Sequence, residues 1–458
     1  MPVDDPRIVQ DLEVNDWDRL PYWHKHYPEP LTTVPLPREL PTMPTPATAV
    51  LAGTAGTEQS TLELAGLARL LFLSAGVVRV GERRGRPYYF RAAGSAGARF
   101  PLEVYVAVPD GTAETALPAG VHWYDPAEHA LVQVGPPPAG SAPALVVTGV
   151  PWRTGWRYRE RGFRHIYWDA GTLLAQQLAL AESAGLAPRL YSRFPDGELS
   201  GLVGADGVHE FPVAVLVLGA VQPELVATGP AAAGQLDGAP LEFPLVTSTQ
   251  HAGDLAGWGS AWPAGEPVDT GSLDTAETLD ALVLRRGSQR RMDPAGSVPL
   301  ALLRDSLTVA LRGIDLPHWV VVHAVDGLEP GLYRWPELDR PVRPGLLRDE
   351  AWRVCMEQGL ARDAAFVVLA AVAVAGLSDR EYREAQLAAG IVEGRLHLLA
   401  YAAGASATGM TFYDSELAGF LGESLDGLLF TCVGVPEYSS VAGGPPGAPA
   451  FVRQVAPR

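Results

Sequence analysis

Seven consecutive residues, Arg285-Arg286-Gly287-Ser288-Gln289-Arg290-Arg291, carry dense anion-binding chemistry. Alternate side chains of an extended stretch share a face, so Arg286, Ser288 and Arg290 can converge on one anion, offering guanidinium forks and a hydroxyl to a phosphate. A solvated basic turn in an acidic protein fits the same spacing, and spacing alone does not separate the two. A second constellation, Trp156-Arg157-Tyr158-Arg159-Glu160-Arg161, sets a phenol between cations. Tyr158 can exchange a proton if Arg157 and Arg159 lower its pKa. Arg157 stays protonated and cannot act as a general base. Ordinary interface packing accounts for Trp156 and Tyr158 equally well. His24 and His26, and the group Asp305, His318 and His323, lack the acids or cysteines that would complete a metal site, so no metal is expected. No Gly-x-Ser-x-Gly elbow and no Gly-x-Gly-x-x-Gly after a strand is present, which argues against a hydrolase and a tightly held dinucleotide.

The elements that must position these residues fall into two similar sets. Periodic or continuous apolar runs predict a helix at Leu62 to Ala75, strands at Leu102 to Val108 and Ala144 to Val150, a long helix from Gly162 to Ala184 and a strand from Val213 to Gly219. A second set follows: a helix from Leu300 to Leu311, strands at Trp319 to Val325 and Ala365 to Ala375, a helix from Arg380 to Ala403 and a strand from Leu428 to Val435. Arg161, Arg164, Gly171 and Gly185 align with Arg380, Arg383, Gly390 and Gly404; Gly390 minus Gly171 and Gly404 minus Gly185 give the same 219. This order points to duplication. The expected organisation is an extended arm at 1–45 held by its aromatic residues, a first α+β unit at 46–222, a linker at 223–280 rich in Ala, Gly and Pro, a second unit at 281–440 and a tail at 441–458.

At 458 residues, with 47% apolar and 19% charged residues, the chain can bury a large core and shows no apolar run long enough to cross a membrane. A net charge of −17 excludes a phosphate-backbone partner, so no nucleic acid is expected. The start Met-Pro-Val-Asp-Asp does not read as an export signal, and two cysteines, Cys355 and Cys432, suit a reducing compartment; cytoplasmic residence is expected. Lys25 is the one lysine in the sequence.

Arg286-x-Ser288-x-Arg290, followed by a helix start at Val298-Pro299-Leu300, resembles the N-terminal signature of FMN-dependent nitroreductases, which implies that these three residues contact the phosphate and ribityl chain of FMN. The segment Gly404-Ala405-Ser406-Ala407-Thr408-Gly409-Met410 resembles the stretch of that family whose backbone amide faces the flavin N5, with Gly409 at that position. Arg91-Ala92-Ala93-Gly94-Ser95-Ala96-Gly97-Ala98-Arg99-Phe100-Pro101 resembles the Pro-Ser-Ala-Gly-Ala-Leu-Tyr-Pro box of SagB-type dehydrogenases, with Gly94 for Pro, Arg99 for Leu and Phe100 for Tyr. The box places Gly94, Ser95, Ala96 and Gly97 beside the flavin. Arg157-Tyr158 resembles the Lys-Tyr catalytic pair of azoline dehydrogenases, with Arg157 replacing the Lys.

The resemblance implies an α+β pair of fused nitroreductase-like domains forming a pseudo-dimer. The phosphate motif lies in one half and the Ser-Ala-Gly box in the other, so one intact and one degenerate FMN site are expected. The implied activity is two-electron oxidation of a substrate C–H bond with hydride transfer to flavin N5, with an azoline in a ribosomally made peptide as the favoured substrate. The implied partners are that peptide or a small molecule, and a cyclodehydratase complex; further pairing of chains stays open. Reduction of nitro or quinone compounds by NAD(P)H, and a decayed scaffold in a peptide-modifying complex, remain the alternatives.

Overall fold

The computed structural model describes residues 16–111, 117–219, 221 and 223–457. The Met1 to Asp5 segment, the start of the expected arm and residue 222 at the first unit's boundary lie outside the described residues.

Two antiparallel sheets frame the molecule. The first runs in the order Thr33–Pro35, Ala130–Gly135, Gly120–Asp125, Leu102–Val108, Ala144–Gly149, Phe211–Leu218, Pro188–Tyr191. The second runs Arg343–Pro344, Gly331–Arg334, His318–Val322, Phe366–Val372, Asp426–Gly434, Ser406–Met410. The last four strands of the two lists correspond, in each sheet the final strand preceding its neighbour in the chain, and each pairs antiparallel with its neighbours. Val and Leu fill these central strands because β-branched and apolar side chains suit a pleated surface covered on its faces; Leu102–Val108 is buried along its whole length.

One long helix belongs to each half, Gly162–Ser183 and Asp379–Ala402. The second starts at a capping box, with Ser378 Oγ accepting from the Glu381 N–H and the Glu381 carboxylate accepting from the Ser378 N–H. The two helices cross at their matched glycines. A Cβ on Gly171 would collide with the backbone of Gly390 and Ile391, and one on Gly390 with the backbone of Trp168. Residues that align in sequence therefore meet in space, which is the reciprocal pattern of a two-fold interface.

The arginines aligned by the repeat obey the same reciprocity. Arg161, at the N-cap of the first helix, and Arg164 within it pair with Asp414 at the start of helix Asp414–Leu421. Arg380 and Arg383 of the second pair with Asp196 at the start of helix Asp196–Val203, at 2.8 and 3.0 Å. Each half thus buries two guanidiniums against a carboxylate of the other.

Three segments differ from their sequence reading. The arm is more than a surface strap: Trp17 packs on Trp156 and Trp23 on Tyr89, but Lys25 goes fully inside, where its ammonium pairs with Glu210 at 2.6 Å and donates to Tyr105 Oη at 2.7 Å. Thr33–Pro35 then joins the first sheet. Within 223–280, helix Pro244–Ala252 puts Gln250 against the Tyr167 hydroxyl, and Phe243 fills the space above Gly155. The tail supplies strand Ala450–Phe451, parallel to Val77–Arg83 of the first half. Among the described residues no helix is long and apolar enough to cross a membrane, and no group of three or more His, Cys, Asp or Glu is arranged to hold a metal.

Candidate functional site

The box residues form a tight loop between strands Arg86–Arg91 and Leu102–Val108. Asp169, from the first long helix, fastens it: Ser95 Oγ donates to Oδ2 at 2.5 Å and the Ala96 N–H donates to Oδ1 at 2.9 Å, while the Phe100 N–H donates to Ser95 Oγ at 2.8 Å. Gly97 has φ +58°, and its missing Cβ would lie 2.7 Å from the Tyr158 hydroxyl and 3.1 Å from Arg157 Cδ. Both the left-handed backbone and the close approach demand glycine there. Arg157 and Tyr158 thus touch the box, and a recess of about 290 Å³ opens beside Gly94, Ser95, Phe100 and Asp169.

Arg286 emerges from the end of helix Leu279–Arg285 and is buried. Its Nη2 donates at 2.5 Å to the carbonyl of Ala92, 194 residues earlier, and its Nη1 lies 3.3 Å from His397 Nδ1. A Cβ on Gly94 would sit within 3.4–3.7 Å of Thr172, Arg286 and His397. The phosphate motif of one half and the small-residue box of the other therefore meet at one place. Ser288 and Arg290 are exposed on the following stretch, and among the described residues neither side chain makes a hydrogen bond, which leaves their donors free for an anion. The stretch is held by its backbone and by Gln289, whose Nε2 donates to the Tyr438 carbonyl at 2.6 Å and whose carbonyl accepts from Thr408 at 2.7 Å.

Gly409, in strand Ser406–Met410, faces the second long helix, and the Glu393 carboxyl occupies the space its Cβ would take. Burial, reinforced by Asp169, pushes Glu393 up to about 8 against the pull of Arg286. Burial likewise raises Asp169 to about 7, opposed by its hydrogen bonds from Ser95 and Ala96. His397 falls to about 3 through burial and the Arg286 charge, and so stays neutral. Tyr158, stacked on His165 at 4.0 Å, is moved opposite to the sequence expectation: burial raises its pKa and outweighs the lowering by Arg157. A neutral phenol results.

Asp169, Glu393, His397 and Thr172 did not emerge from motif reading. Their signal was nonetheless present, since Glu393 and His397 stand four apart on one face of a helix whose neighbours are mostly apolar. The pseudo-equivalent positions have lost this chemistry. The offset of 219 carries Glu393 to Leu174, His397 to Leu178, Gly409 to Leu190 and Asp169 to Ala388. Gly53 follows helix Ala47–Ala52 as Arg286 follows its own helix, and the space above Gly53 is filled by Arg312, which donates to the Leu51 carbonyl and pairs with Glu182 at 3.3 Å.

The intact side combines a buried guanidinium with an orphan Nε, an orphan His397 Nε2, exposed anion donors nearby and a floor of small residues. That set could hold a phosphorylated ligand with a flat ring: the donors could take a phosphate, and the missing Cβ atoms at Gly94 and Gly97 would let backbone approach a ring.

The fold is that of the nitroreductases. A crystal structure of a nitroreductase-like protein from Anabaena variabilis matches with a TM-score of 0.73 and 23% identity, covering 94% of this chain and 97% of the other. A nitroreductase-like protein of Methanocaldococcus jannaschii is 28% identical over 175 residues, which is 35% of this chain and 82% of the relative. A third, a nitroreductase-like structure from Ralstonia eutropha, matches 44% of this chain and 99% of its own at 20% identity, with a TM-score of 0.33. No protein-family model matches the sequence.

Proposed function

We propose that the chain is an FMN-dependent oxidoreductase, a tandem of two nitroreductase-like units that holds one flavin between its halves and oxidises a substrate C–H bond. The observation that carries this reading is the reach of Arg286 to the Ala92 carbonyl, which brings the phosphate motif against the Ser-Ala-Gly box. When bound, the flavin supplies a two-electron acceptor at N5. Arg286, Ser288 and Arg290 would bind its phosphate. Gly94, Ser95, Ala96 and Gly97, fixed by Asp169, would border the ring, and Gly409 would admit it closely.

The protein's own proton chemistry follows from the pKa directions. Tyr158 holds its proton, and Arg157 holds its charge, so the pair can orient a substrate but cannot deprotonate one at neutral pH. Asp169, brought to about 7, is part-ionised at neutrality and is the better proton acceptor, whereas Glu393, brought to about 8, is mostly protonated there and can donate. An azoline ring of a ribosomally made peptide, oxidised to the azole beside a cyclodehydratase complex, is the favoured substrate class, supported by the box and by the position of Arg157-Tyr158 against Gly97. Flavin absorbance against protein concentration tests the composite site. One flavin per chain is expected; two, or none after incubation with excess FMN, would overturn it.

A further inference from the structure

Outside the flavin cleft, the most unusual patch lies on the outer side of the box. Arg83, Arg84, Arg99 and Arg157 gather there in a protein of net charge −17. The guanidiniums of Arg83 and Arg84 lie 4.7 and 4.3 Å from the centre of the Trp17 ring, and that of Arg99 lies 4.9 Å from Trp156. Trp17 and Trp156 pack edge to face at 5.2 Å, which ties the group together. Arg157 joins it beside Gly97, its Cδ 3.1 Å from where that residue's Cβ would be. Among the described residues none of the four pairs with a carboxylate, although Arg153, Arg161 and Arg164 nearby in sequence all do. The Arg83 guanidinium is held below its usual range by burial, with Tyr88 opposing and repulsion from Arg157 and Arg99 adding to the lowering.

A groove of about 490 Å³ runs alongside, walled by Trp23, Tyr88, Tyr89 and Phe100; of the four arginines Arg99 lines it directly and Arg83 lies 5.9 Å over its Tyr88 wall, while Arg153, also in the lining, is paired with Glu103. We infer that this arginine-rimmed aromatic groove is the surface that receives an acidic segment of the peptide substrate, leading it to the site behind Gly97; the substrate assignment rests on the peptide-oxidation reading above. A guanidinium stacked on a ring keeps its edge N–H donors free for a carboxylate. Here the guanidiniums come from a hairpin, a loop and a helix end and are spread over Trp17, Tyr88, Trp156 and Tyr158, with Arg83 and Arg84 sharing Trp17 and Arg99 also donating to the Tyr88 hydroxyl. That arrangement suits carboxylates spaced along a chain more than one compact phosphate, which calls for forks aimed at one point. Positive potential concentrated at one groove of an acidic molecule also raises the encounter rate with a negatively charged chain.

The test uses the full chain and a fluorescein-labelled peptide of alternating Glu and Gly with one Trp, against a counterpart with Gln for every Glu, read by fluorescence anisotropy. The Glu probe is expected to bind about tenfold more tightly than the Gln probe, and to weaken as salt rises. Arg83→Glu with Arg84→Glu is expected to lose about tenfold in affinity for the Glu probe, with flavin content unchanged. Arg84→Glu alone, at an exposed position, gives the same sign of effect if the double variant does not fold. Arg304→Glu, exposed on helix Leu300–Ala310, is the charge-matched control and should bind as the parent does. Equal affinity for both probes, or no loss in the Arg83 and Arg84 variants, overturns the inference. Displacement of the probe by equimolar inorganic triphosphate overturns it in favour of a phosphate ligand. Flavin absorbance in the same samples separates the two proposals: a full flavin complement without probe binding defeats this inference alone, and probe binding without flavin defeats the flavin reading alone.

Discussion

Gly185 and Gly404 end the two long helices in the same left-handed conformation, with φ of +69° and +76°, and their surroundings are opposite. Above Gly185 the loop carrying Glu58 and Ser60 presses onto the chain, with the Ser60 N–H donating to the Gly185 carbonyl at 3.0 Å. Above Gly404 nothing lies within 4 Å. The same contrast runs through the pseudo-equivalent clefts: one is closed by Leu174, Leu190 and the Arg312–Glu182 pair, the other keeps Glu393, His397, Arg286 and a cradle of glycines. A homodimer must keep both of its sites or neither. A chain that carries both halves can keep polar, poorly packed chemistry on one side and use the other to stabilise the fold.

The largest effects should come from features the halves share. Asp196→Ala and Asp414→Ala each take a shared carboxylate from two buried guanidiniums, at a cost of roughly 3–5 kcal/mol, although Arg383 keeps Asp254 at 2.9 Å. Because Asp196 is 5% exposed and Asp414 12%, the Asp196 change should be the worse of the two in denaturant unfolding. Equal, small losses would show that the reciprocal bracing does not hold the halves together.

Next comes the contrast between Arg286 and Arg312, matched in place and opposed in role. Arg286→Ala should weaken flavin binding by about 1.5–3 kcal/mol, the worth of one charge-assisted hydrogen bond, while Arg312→Ala should lower the melting temperature and leave flavin affinity alone. Fluorescence titration with FMN decides it, and equal affinity in the two variants would end the assignment of Arg286 to the phosphate. Gly185→Asn and Gly404→Asn sharpen the packing side of the same comparison. Asn tolerates the left-handed region, so Gly404→Asn should cost under about 0.5 kcal/mol, whereas at Gly185 the added side chain meets the Glu58 carbonyl and should cost about 1–3 kcal/mol.

The last effect is read as a slope against pH. Folded Asp169 and Glu393 keep their protons to about pH 7 and about pH 8, whereas the unfolded groups release them near 3.8 and 4.5. Between those limits the unfolded chain binds fewer protons, so this contribution to stability is complete at low pH and is lost as pH rises, by up to about 1.4 kcal/mol per unit for each group. Glu393→Gln should flatten urea-unfolding stability between about pH 5 and pH 8. A slope identical to the parent's would show that the carboxyl is not buried in its neutral form.

How much of this could be read in the sequence depended on what each residue had to satisfy. Gly171 and Gly390 were visible because a close helix crossing tolerates no side chain at either position, and Arg161 and Arg380 align with them as halves of the reciprocal pairs. The central strands were legible from their continuous Val and Leu. The flanking ones were not: Arg86–Arg91 and Ser406–Met410 carry polar residues or glycine and are strands because a neighbour pairs with them. At the site, motif residues announced themselves, but Asp169 and Glu393 depend on partners about 70 residues before and 16 residues after them, Ser95 with Ala96 and Gly409, and no local pattern encodes such a contact. The Tyr158 expectation erred for a related reason. Neighbouring arginines in sequence suggested a lowered pKa, whereas the packing of the phenol against His165 and Gly97 removes the water that an ionised oxygen would need.

Lys25 gives the arm a property of practical use. It is the sole side-chain amine in 458 residues, and it is 1% exposed, locked between Glu210 and Tyr105. An amine-acylating reagent therefore has no accessible lysine while the arm is seated, and trypsin has no lysyl bond within easy reach. Acylation at this one position, followed by peptide mass over time and read apart from the chain's α-amine, would clock how often the arm lifts from the first sheet, with no competing lysine to subtract.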